Sequence, residues 1–65
     1  MPPRYTVREV FKMLKKDGWV YMYSRGSHHQ FEHPTKPGKV TVPGHENDIV
    51  FPSVLNKILK KAGLK

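Results

Sequence analysis

Two apolar stripes with helical spacing stand at opposite ends of this chain, and a strand-forming segment lies between them. The first stripe consists of Val7, Val10, Phe11 and Leu14, and the second of Val54, Leu55, Ile58, Leu59 and Ala62. Apolar side chains at intervals of three and four residues lie on one face of an α-helix, so each stripe needs a partner surface. The chain has 65 residues and no cysteine, so packing rather than disulfides must hold the helices in place.

Signals at the ends of both stripes predict where the helices begin and end. Thr6 and Glu9 have the spacing of a capping box, and Asp17-Gly18 provides a stop after the first stripe. The second helix is predicted from Pro52 to Ala62, because proline is favoured in a first helical turn and Gly63 follows the last apolar residue.

Three stretches between the helices have the composition of β-strands, namely residues 19–23, 27–33 and 39–42. Turn residues 24–26 and a Pro/Gly-rich loop at 34–38 separate them, and residues 45–51 form an irregular crossing to the second helix. The order α-β-β-β-α predicts one two-layer α+β domain over residues 1–65, of the double-stranded-RNA-binding-domain type. Two helices can cover only one face of a three-stranded antiparallel sheet, so the other face is expected to be open.

Side-chain alternation in the second strand separates its two adjacent histidines. Phe31 is the clear core residue of this strand, and His29 and His33 share its side, whereas His28 and Gln30 point the other way. If Phe31 packs beneath the helices, His28 therefore lies on the open face. Alternation in the first strand leaves two candidate inner sets, which are Trp19, Tyr21 and Tyr23 or Val20 and Met22.

The charge of the chain indicates a polyanionic partner. Twelve Lys and Arg against five Asp and Glu give a formal net charge of +7. Such a domain commonly binds nucleic acid, an anionic membrane surface or an acidic protein, although charge of this size also serves solubility alone. No apolar run approaches the roughly 18 residues of a transmembrane helix, and the N-terminus lacks an apolar signal region. We therefore expect a cytoplasmic protein without a membrane partner.

The four histidines do not have the spacing of a metal site. Adjacent His28 and His29 point to opposite faces of a strand, and four strand residues separate His29 from His33 by roughly 13 Å. Zinc needs its ligands at about 2.0–2.1 Å, and the chain has no cysteine to supply thiolates. We expect no metal site and no small-molecule cofactor.

An exposed strand histidine such as His28 can act as a general base, because imidazole titrates near neutrality. RNA suits such a group, since its 2′-hydroxyl attacks the adjacent phosphate once the proton is removed. Candidates for binding the phosphate are Arg25, Lys36 and Lys39. Candidates for an accessory catalytic or phosphate-binding role are His45, Ser27 and Gln30. The alternative is that His28 is an ordinary surface residue.

Two further sets of residues have both a functional and a structural interpretation. The aromatic set could stack on bases or fill the core, and its members are Trp19, Tyr21 and Tyr23. The second set could track a phosphate backbone or form the solvated end of a helix, and its members are Lys57, Lys60, Lys61 and Lys65.

Five segments of the chain, taken in order, resemble the HicA toxin family. They are Asp17-Gly18-Trp19, Gly26-Ser27-His28-His29-Gln30-Phe31, His33-Pro34-Thr35-Lys36-Pro37-Gly38, Val40-Thr41-Val42-Pro43 and Ile58-Leu59-Lys60-Lys61-Ala62-Gly63-Leu64. The resemblance extends from about residue 6 to residue 64. Its most specific part is the Gly-Ser-His step, followed later by a helix that ends in Ala-Gly.

The resemblance implies an α-β-β-β-α fold and the toxin half of a type II toxin–antitoxin system. Toxins of this family cleave mRNA without a metal cofactor and so inhibit translation, and a HicB-type antitoxin binds the toxin and masks its active site. The catalytic histidine of the family directly follows Gly-Ser, which makes it His28 here.

This sequence departs from the family pattern at two places. Gly44 separates Pro43 from His45, whereas the family carries a histidine close to Val-Pro. Phe51 precedes the second helix where the family often has Gly-Thr. Phe51 is either an added contact to the antitoxin or part of the core.

Two other classes of function compete with an endoribonuclease. The first is a non-catalytic double-stranded-RNA-binding module, since the same fold binds duplex RNA partly through lysines at the start of its second helix. Here the lysines of that helix lie towards its far end. The second is a protein-interaction subunit whose positive charge meets an acidic partner, and this overlaps with the toxin interpretation because a toxin must bind its antitoxin.

Overall fold

The computed structural model describes residues 4–65 and confirms the predicted α+β architecture, with two helices and a three-stranded antiparallel sheet. Its elements are β1 (Tyr5–Thr6), α1 (Val7–Lys16), β2 (Val20–Arg25), β3 (His28–Glu32), β4 (Lys39–Pro43), β5 (Ile49–Val50) and α2 (Pro52–Lys61). The first three residues of the domain predicted over residues 1–65 lie outside the described range. Across residues 4–65, neither ten-residue helix has the length or apolar character needed to cross a bilayer.

Helix α1 begins at the predicted capping box. The Thr6 hydroxyl accepts a hydrogen bond from the Glu9 N–H at 3.2 Å, and the Glu9 carboxylate accepts one from the Thr6 N–H at 3.1 Å. The helix ends at Lys16 with Asp17 as its C-cap, and Gly18 follows with φ +100°, which an L-residue rarely adopts. The capping box thereby satisfies two backbone N–H donors at the helix start. All residues of the first apolar stripe are buried.

A second, two-stranded ladder was not predicted. Tyr5 pairs with Val50 and Thr6 with Ile49, in antiparallel register. The Val7 N–H extends this contact by donating to the Asp48 carbonyl at 2.9 Å. The predicted irregular crossing over residues 45–51 is therefore tied to the N-terminus of α1. Strands of two residues have no periodicity, so alternation could not reveal them.

The main sheet has the order β2-β3-β4, and one face of it carries the core. Phe31 of β3 lies opposite Val40 of β4, and His29 lies opposite Val42. Phe31, Val40 and Val42 are buried together with the whole first stripe and with Leu55, Ile58 and Ala62 of the second, while Val54 and Leu59 are partly buried against this core. The other face, called the open face below, carries the side chains of Val20, Tyr23, Arg25, His28, Gln30, Glu32, Lys39, Thr41 and Pro43.

A β-bulge in β2 resolves the ambiguity of the first strand. Tyr21 lies opposite Phe31, but the register shifts at Met22, so that Tyr23 lies opposite Gln30. Tyr21 therefore packs on the helix side, with its ring 5.7 Å from Phe11 and 5.3 Å from Phe31. Tyr23 faces the open side. The extra residue of the bulge reverses the alternation of side chains along β2. Of the predicted inner set Trp19, Tyr21 and Tyr23, the first two therefore lie on the core side and Tyr23 does not.

Strand ends differ slightly from the prediction. β2 continues to Arg25, which pairs with His28, so the hairpin turn is only Gly26-Ser27. Gly26 has φ +56°, which suits a two-residue hairpin turn. Trp19 lies just before β2 and is buried at 2% exposure, so the core interpretation is the correct one for this residue.

The loop after β3 joins the C-terminal ends of both helices. His33 donates from Nε2 to the Asp17 carbonyl at 2.8 Å, while its Nδ1 accepts from the backbone N–H groups of Thr35 and Lys36, each at 3.1 Å. The Lys36 ammonium donates to the Asp17 carboxylate at 2.5 Å and to the Ala62 carbonyl at 3.0 Å. The loop is therefore held by ordered polar contacts although it contains two prolines.

Candidate active site

The four histidines differ in whether their ring nitrogens are already engaged. His29 interacts through Nδ1 with the Tyr21 hydroxyl at 2.9 Å and through Nε2 with the Gly44 carbonyl at 2.8 Å. Its ring also packs against Phe11 at a centroid distance of 4.9 Å. His33 likewise has both nitrogens in hydrogen bonds. Neither ring is free to exchange protons with a substrate, so both histidines are structural.

His28 has the opposite environment. It is the first residue of β3, its side chain is exposed, and it lies between Arg25 of β2 and Pro43 of β4 in the register. The predicted separation of His28 from His29 agrees with this register, since His29 lies on the core side opposite Val42. The hydrogen bonds described for residues 4–65 include none to the His28 ring. Both ring nitrogens of His28 are therefore available to a bound molecule.

A groove at the β4 edge of the sheet contains His28. It has a volume of about 300 Å³. Its wall from the sheet includes His28, Thr41 and Pro43, and its wall from α2 includes Val54, Lys57 and Lys61. These residues define what we call the His28 groove. It combines an unengaged imidazole with the side chains of two lysines, and this combination of residues suits an anion such as a phosphodiester.

Lys57 and Lys61 were considered from the sequence only as members of a lysine set that could track a phosphate backbone, and the sequence did not place them beside His28. They are four residues apart on α2, so they project from the same side of the helix. The sequence shows this four-residue spacing, and it also shows that Lys57 directly precedes the apolar residue Ile58. Only the packing of α2 against the β4 edge shows that this side of the helix faces His28.

The other predicted residues near His28 occupy distinct positions. Arg25 is exposed and is the direct cross-strand neighbour of His28. Ser27 lies in the hairpin turn, where its carbonyl accepts a hydrogen bond from the Gly44 N–H at 2.8 Å. Gln30 lies on the next open-face row, and its Oε1 accepts from the Thr41 hydroxyl at 2.7 Å. The structure thus brings Arg25, Ser27 and Gln30 close to His28.

Lys36 and Lys39 are not close to His28. Lys39 begins β4 opposite Glu32, and four strand residues, roughly 13 Å, separate it from Pro43. Lys36 pairs with Asp17 at the helix ends, and the hydrogen bond from its ammonium group lowers the pKa of the Asp17 carboxyl below its ordinary value of 3.8. The ammonium group of Lys36 is therefore engaged in contacts that hold the fold. Lys39 is exposed on the open face.

His45 lies in the loop that starts beside the hairpin turn. Its N–H donates to the Asp48 carboxylate at 3.0 Å, and its carbonyl accepts from the Asp48 N–H at 2.9 Å. Its side chain is exposed, and no hydrogen bond joins the rings of His45 and His28 within the described residues. The N–H of the neighbouring Gly44 donates to the Ser27 carbonyl at 2.8 Å, which anchors the start of this loop to the hairpin turn that precedes His28.

Phe51 is not a core residue. Its side chain is 70% exposed, and Ile49 is 49% exposed beside it. Both line a second recess, which shares Pro43 and Val54 with the His28 groove. This apolar surface, called the Phe51 patch, therefore adjoins the candidate site.

Possible metal ligands are dispersed in the part of the chain that the structure describes. No three of its histidine, aspartate and glutamate side chains are close enough together to hold an ion.

Comparison with known protein families gives one informative match. The model of the family described as the HicA toxin of bacterial toxin–antitoxin systems matches residues 7–64. The matched segment runs from the start of α1 to beyond the end of α2 and includes every residue that lines the His28 groove. Comparison with curated proteins gives no match.

Proposed function

This chain belongs to the HicA toxin family of bacterial toxin–antitoxin systems, and we propose that it is a metal-independent endoribonuclease that cleaves mRNA and inhibits translation. The observation that carries this proposal is the environment of His28. It is an exposed histidine with an unengaged ring, and it shares a groove with Lys57 and Lys61. When the 2′-hydroxyl of RNA attacks the adjacent phosphate, the reaction needs a group that transfers protons and cations that bind the phosphate. An imidazole beside lysine side chains provides both.

In the proposed reaction His28 removes the proton from a 2′-hydroxyl. The 2′-oxygen then forms a bond to the adjacent phosphorus, and the bond from phosphorus to the 5′-oxygen breaks. The products are a 2′,3′-cyclic phosphate and an RNA fragment with a 5′-hydroxyl. The departing 5′-oxygen takes up a proton, for which His45 is our candidate donor.

The cations would stabilise the charge that develops on the phosphate oxygens. Lys57 and Lys61 line the groove, and Arg25 is the cross-strand neighbour of His28. Groups that are positioned before the reaction stabilise the transition state without a reorganisation cost. Lys39 would contact the RNA backbone farther along the open face, and Ser27 would hold the turn that positions His28. Lys36 is left out of the proposed RNA contacts, since its ammonium group already binds Asp17 and Ala62.

We further propose that a HicB-type antitoxin neutralises this toxin in the cytoplasm by covering the His28 groove. The net charge of +7 favours an acidic partner. The Phe51 patch offers that partner an apolar anchor directly beside the groove. Phe51 would then act as a contact to the antitoxin, which is one of the two roles considered from the sequence.

Brief induction of the wild-type protein and of His28→Ala in growing cells, followed by analysis of transcript integrity, tests the proposal. We expect the wild type to fragment mRNA and arrest growth, and His28→Ala to do neither at equal abundance. Purified protein should cleave RNA in EDTA. Equal cleavage by both proteins would exclude His28 as the base, and tight binding of intact duplex RNA without products would favour the double-stranded-RNA-binding alternative.

A further inference from the structure

The open face carries a row of side chains directly beside the row of His28. Tyr23, Gln30 and Thr41 are cross-strand neighbours on β2, β3 and β4. We call these three residues the second row. The adjoining row consists of Arg25, His28 and Pro43, and the two rows are roughly 7 Å apart along the strands. A nucleotide bound at His28 would therefore extend over the second row.

Tyr23 has no aromatic partner in the described part of the chain. Tyr21 packs against Phe11 and Phe31, but the bulge at Met22 places Tyr23 on the opposite face, where it is 45% exposed. Exposed aromatic rings form sequence-tolerant stacking surfaces for the bases of single-stranded nucleic acid. The bulge thus presents a ring to the side on which His28 lies.

Gln30 provides directional hydrogen bonding next to that ring. The Thr41 hydroxyl donates to its Oε1 at 2.7 Å, which orients the carboxamide and leaves its two N–H donors available. Every base offers acceptors on its edge, so a base that stacks on Tyr23 can accept a hydrogen bond from Gln30.

The charges on the open face favour RNA as its occupant. Arg25 lies at the end of this surface that carries His28, and Lys39 lies at the other end opposite Glu32, so the excess positive charge is at the His28 end, in a chain of net charge +7. An aromatic ring with hydrogen-bonding side chains between two cations matches the alternation of bases and phosphates in a single strand. Bases in a duplex are stacked on one another and cannot lie on a protein ring in this way.

We infer that the second row is a nucleobase subsite for single-stranded RNA. The ring of Tyr23 stacks on the base adjoining the scissile phosphate, and the Gln30 carboxamide donates a hydrogen bond to the edge of that base. The inference rests on the proposed endoribonuclease function, because the subsite serves to place the scissile phosphate at His28.

Binding is measured first, in a protein that cannot cleave. In the His28→Ala background, Tyr23→Ala should weaken binding of a short single-stranded RNA by roughly 5- to 150-fold, which is the usual range for loss of one stacked base. Tyr23→Phe keeps the ring and should bind as its parent does. Val20→Ala, which shortens another exposed apolar side chain of β2, is the matched control and should also leave binding unchanged. Thermal unfolding of each variant verifies that it is folded.

An RNA lacking a single base provides the sharper test. Removing the base next to the scissile bond should weaken binding to the parent protein but have little further effect in Tyr23→Ala, because the stacking partner is already absent. An equal penalty in both proteins would overturn the inference. So would a Tyr23→Ala protein that binds RNA normally but loses affinity for the antitoxin, since the open face would then be a protein interface.

Cleavage by proteins with an intact His28 distinguishes the two proposals. If the wild type does not cleave RNA, the proposed function fails whatever the binding results are. If the wild type cleaves and Tyr23→Ala cleaves with unchanged KM and unchanged cutting sites, only the nucleobase subsite fails. A raised KM with altered cutting sites in Tyr23→Ala supports both.

Discussion

The Nε2 atom of His29 lies 2.8 Å from the carbonyl oxygen of Gly44, and this contact ties the core side of β3 to the loop after β4. The adjacent His28 points to the other face and has an exposed ring. Neighbouring residues of the same type thus have different roles, because alternation along a strand sends them to different environments.

Replacement of His28 and of His29 by alanine, one at a time, should separate a role in catalysis from a role in stability. His29→Ala removes the contacts to Tyr21 and Gly44 and the packing on Phe11, so we expect the free energy of unfolding to fall by about 2–3 kcal/mol. His28→Ala should change it by less than about 0.5 kcal/mol but reduce RNA cleavage at least about 100-fold. Urea unfolding and cleavage of a labelled RNA provide the two measurements. A large loss of stability in His28→Ala would contradict the assignment.

The lysines of α2 should differ according to whether they line the groove. Lys57→Met and Lys61→Met each remove a cation beside His28, and we expect roughly ten-fold or greater losses in kcat/KM. Lys60→Met on the same helix is the matched control, because Lys60 is exposed but does not line the groove. It should change only the salt dependence of RNA binding, measured at several ionic strengths. Similar losses in all three variants would indicate that total charge, rather than the groove, decides the rate.

The ion pair of Asp17 and Lys36 should make stability depend on acidity. Because Lys36 lowers the pKa of Asp17 in the folded protein, the folded state binds fewer protons at this carboxyl than the unfolded state does. The stabilisation by this carboxylate is fully present at pH values above 3.8, the ordinary pKa of the group, and is lost as the pH falls through its lower pKa in the folded state. Lys36→Met should therefore flatten the decline of Tm in this acid range.

The same variant also checks the assignment of Lys36 to the fold rather than to RNA. Lys36→Met should cleave RNA at the wild-type rate at a temperature where it is fully folded. An acid profile identical to that of the wild type, together with weaker RNA binding, would reverse the assignment.

Gly18 should tolerate alanine less well than Gly38 does. Both have positive φ, at +100° and +83°, so alanine costs about 1–2 kcal/mol at either position. A Cβ at Gly18 would additionally lie 2.8 Å from Nε2 of His33, whereas one at Gly38 would meet nothing within 4 Å. Gly18→Ala must displace the His33 ring and break its hydrogen bond to Asp17, so its loss of stability in urea unfolding should be clearly the larger. Equal losses would show that the His33 contact contributes little.

Much of the fold was predictable because it follows from local chemistry. The capping box at Thr6, the apolar stripes and the Pro/Gly-rich loop are patterns within one element or turn, and the structure confirms them. The two-residue strands β1 and β5 were missed because their pairing joins distant parts of the chain. The bulge at Met22 was missed because its extra residue is visible only in the register with β3.

For the site, the sequence by itself determined that His28 and His29 face opposite ways, because alternation is a property of any strand. Family resemblance singled out His28 without requiring coordinates. Only the tertiary structure decided which cations accompany it. α2 packs against the β4 edge and brings Lys57 and Lys61 to His28, while Lys36 is bound to Asp17 elsewhere. The distance between such residues depends on how layers pack, and no spacing along the chain encodes that.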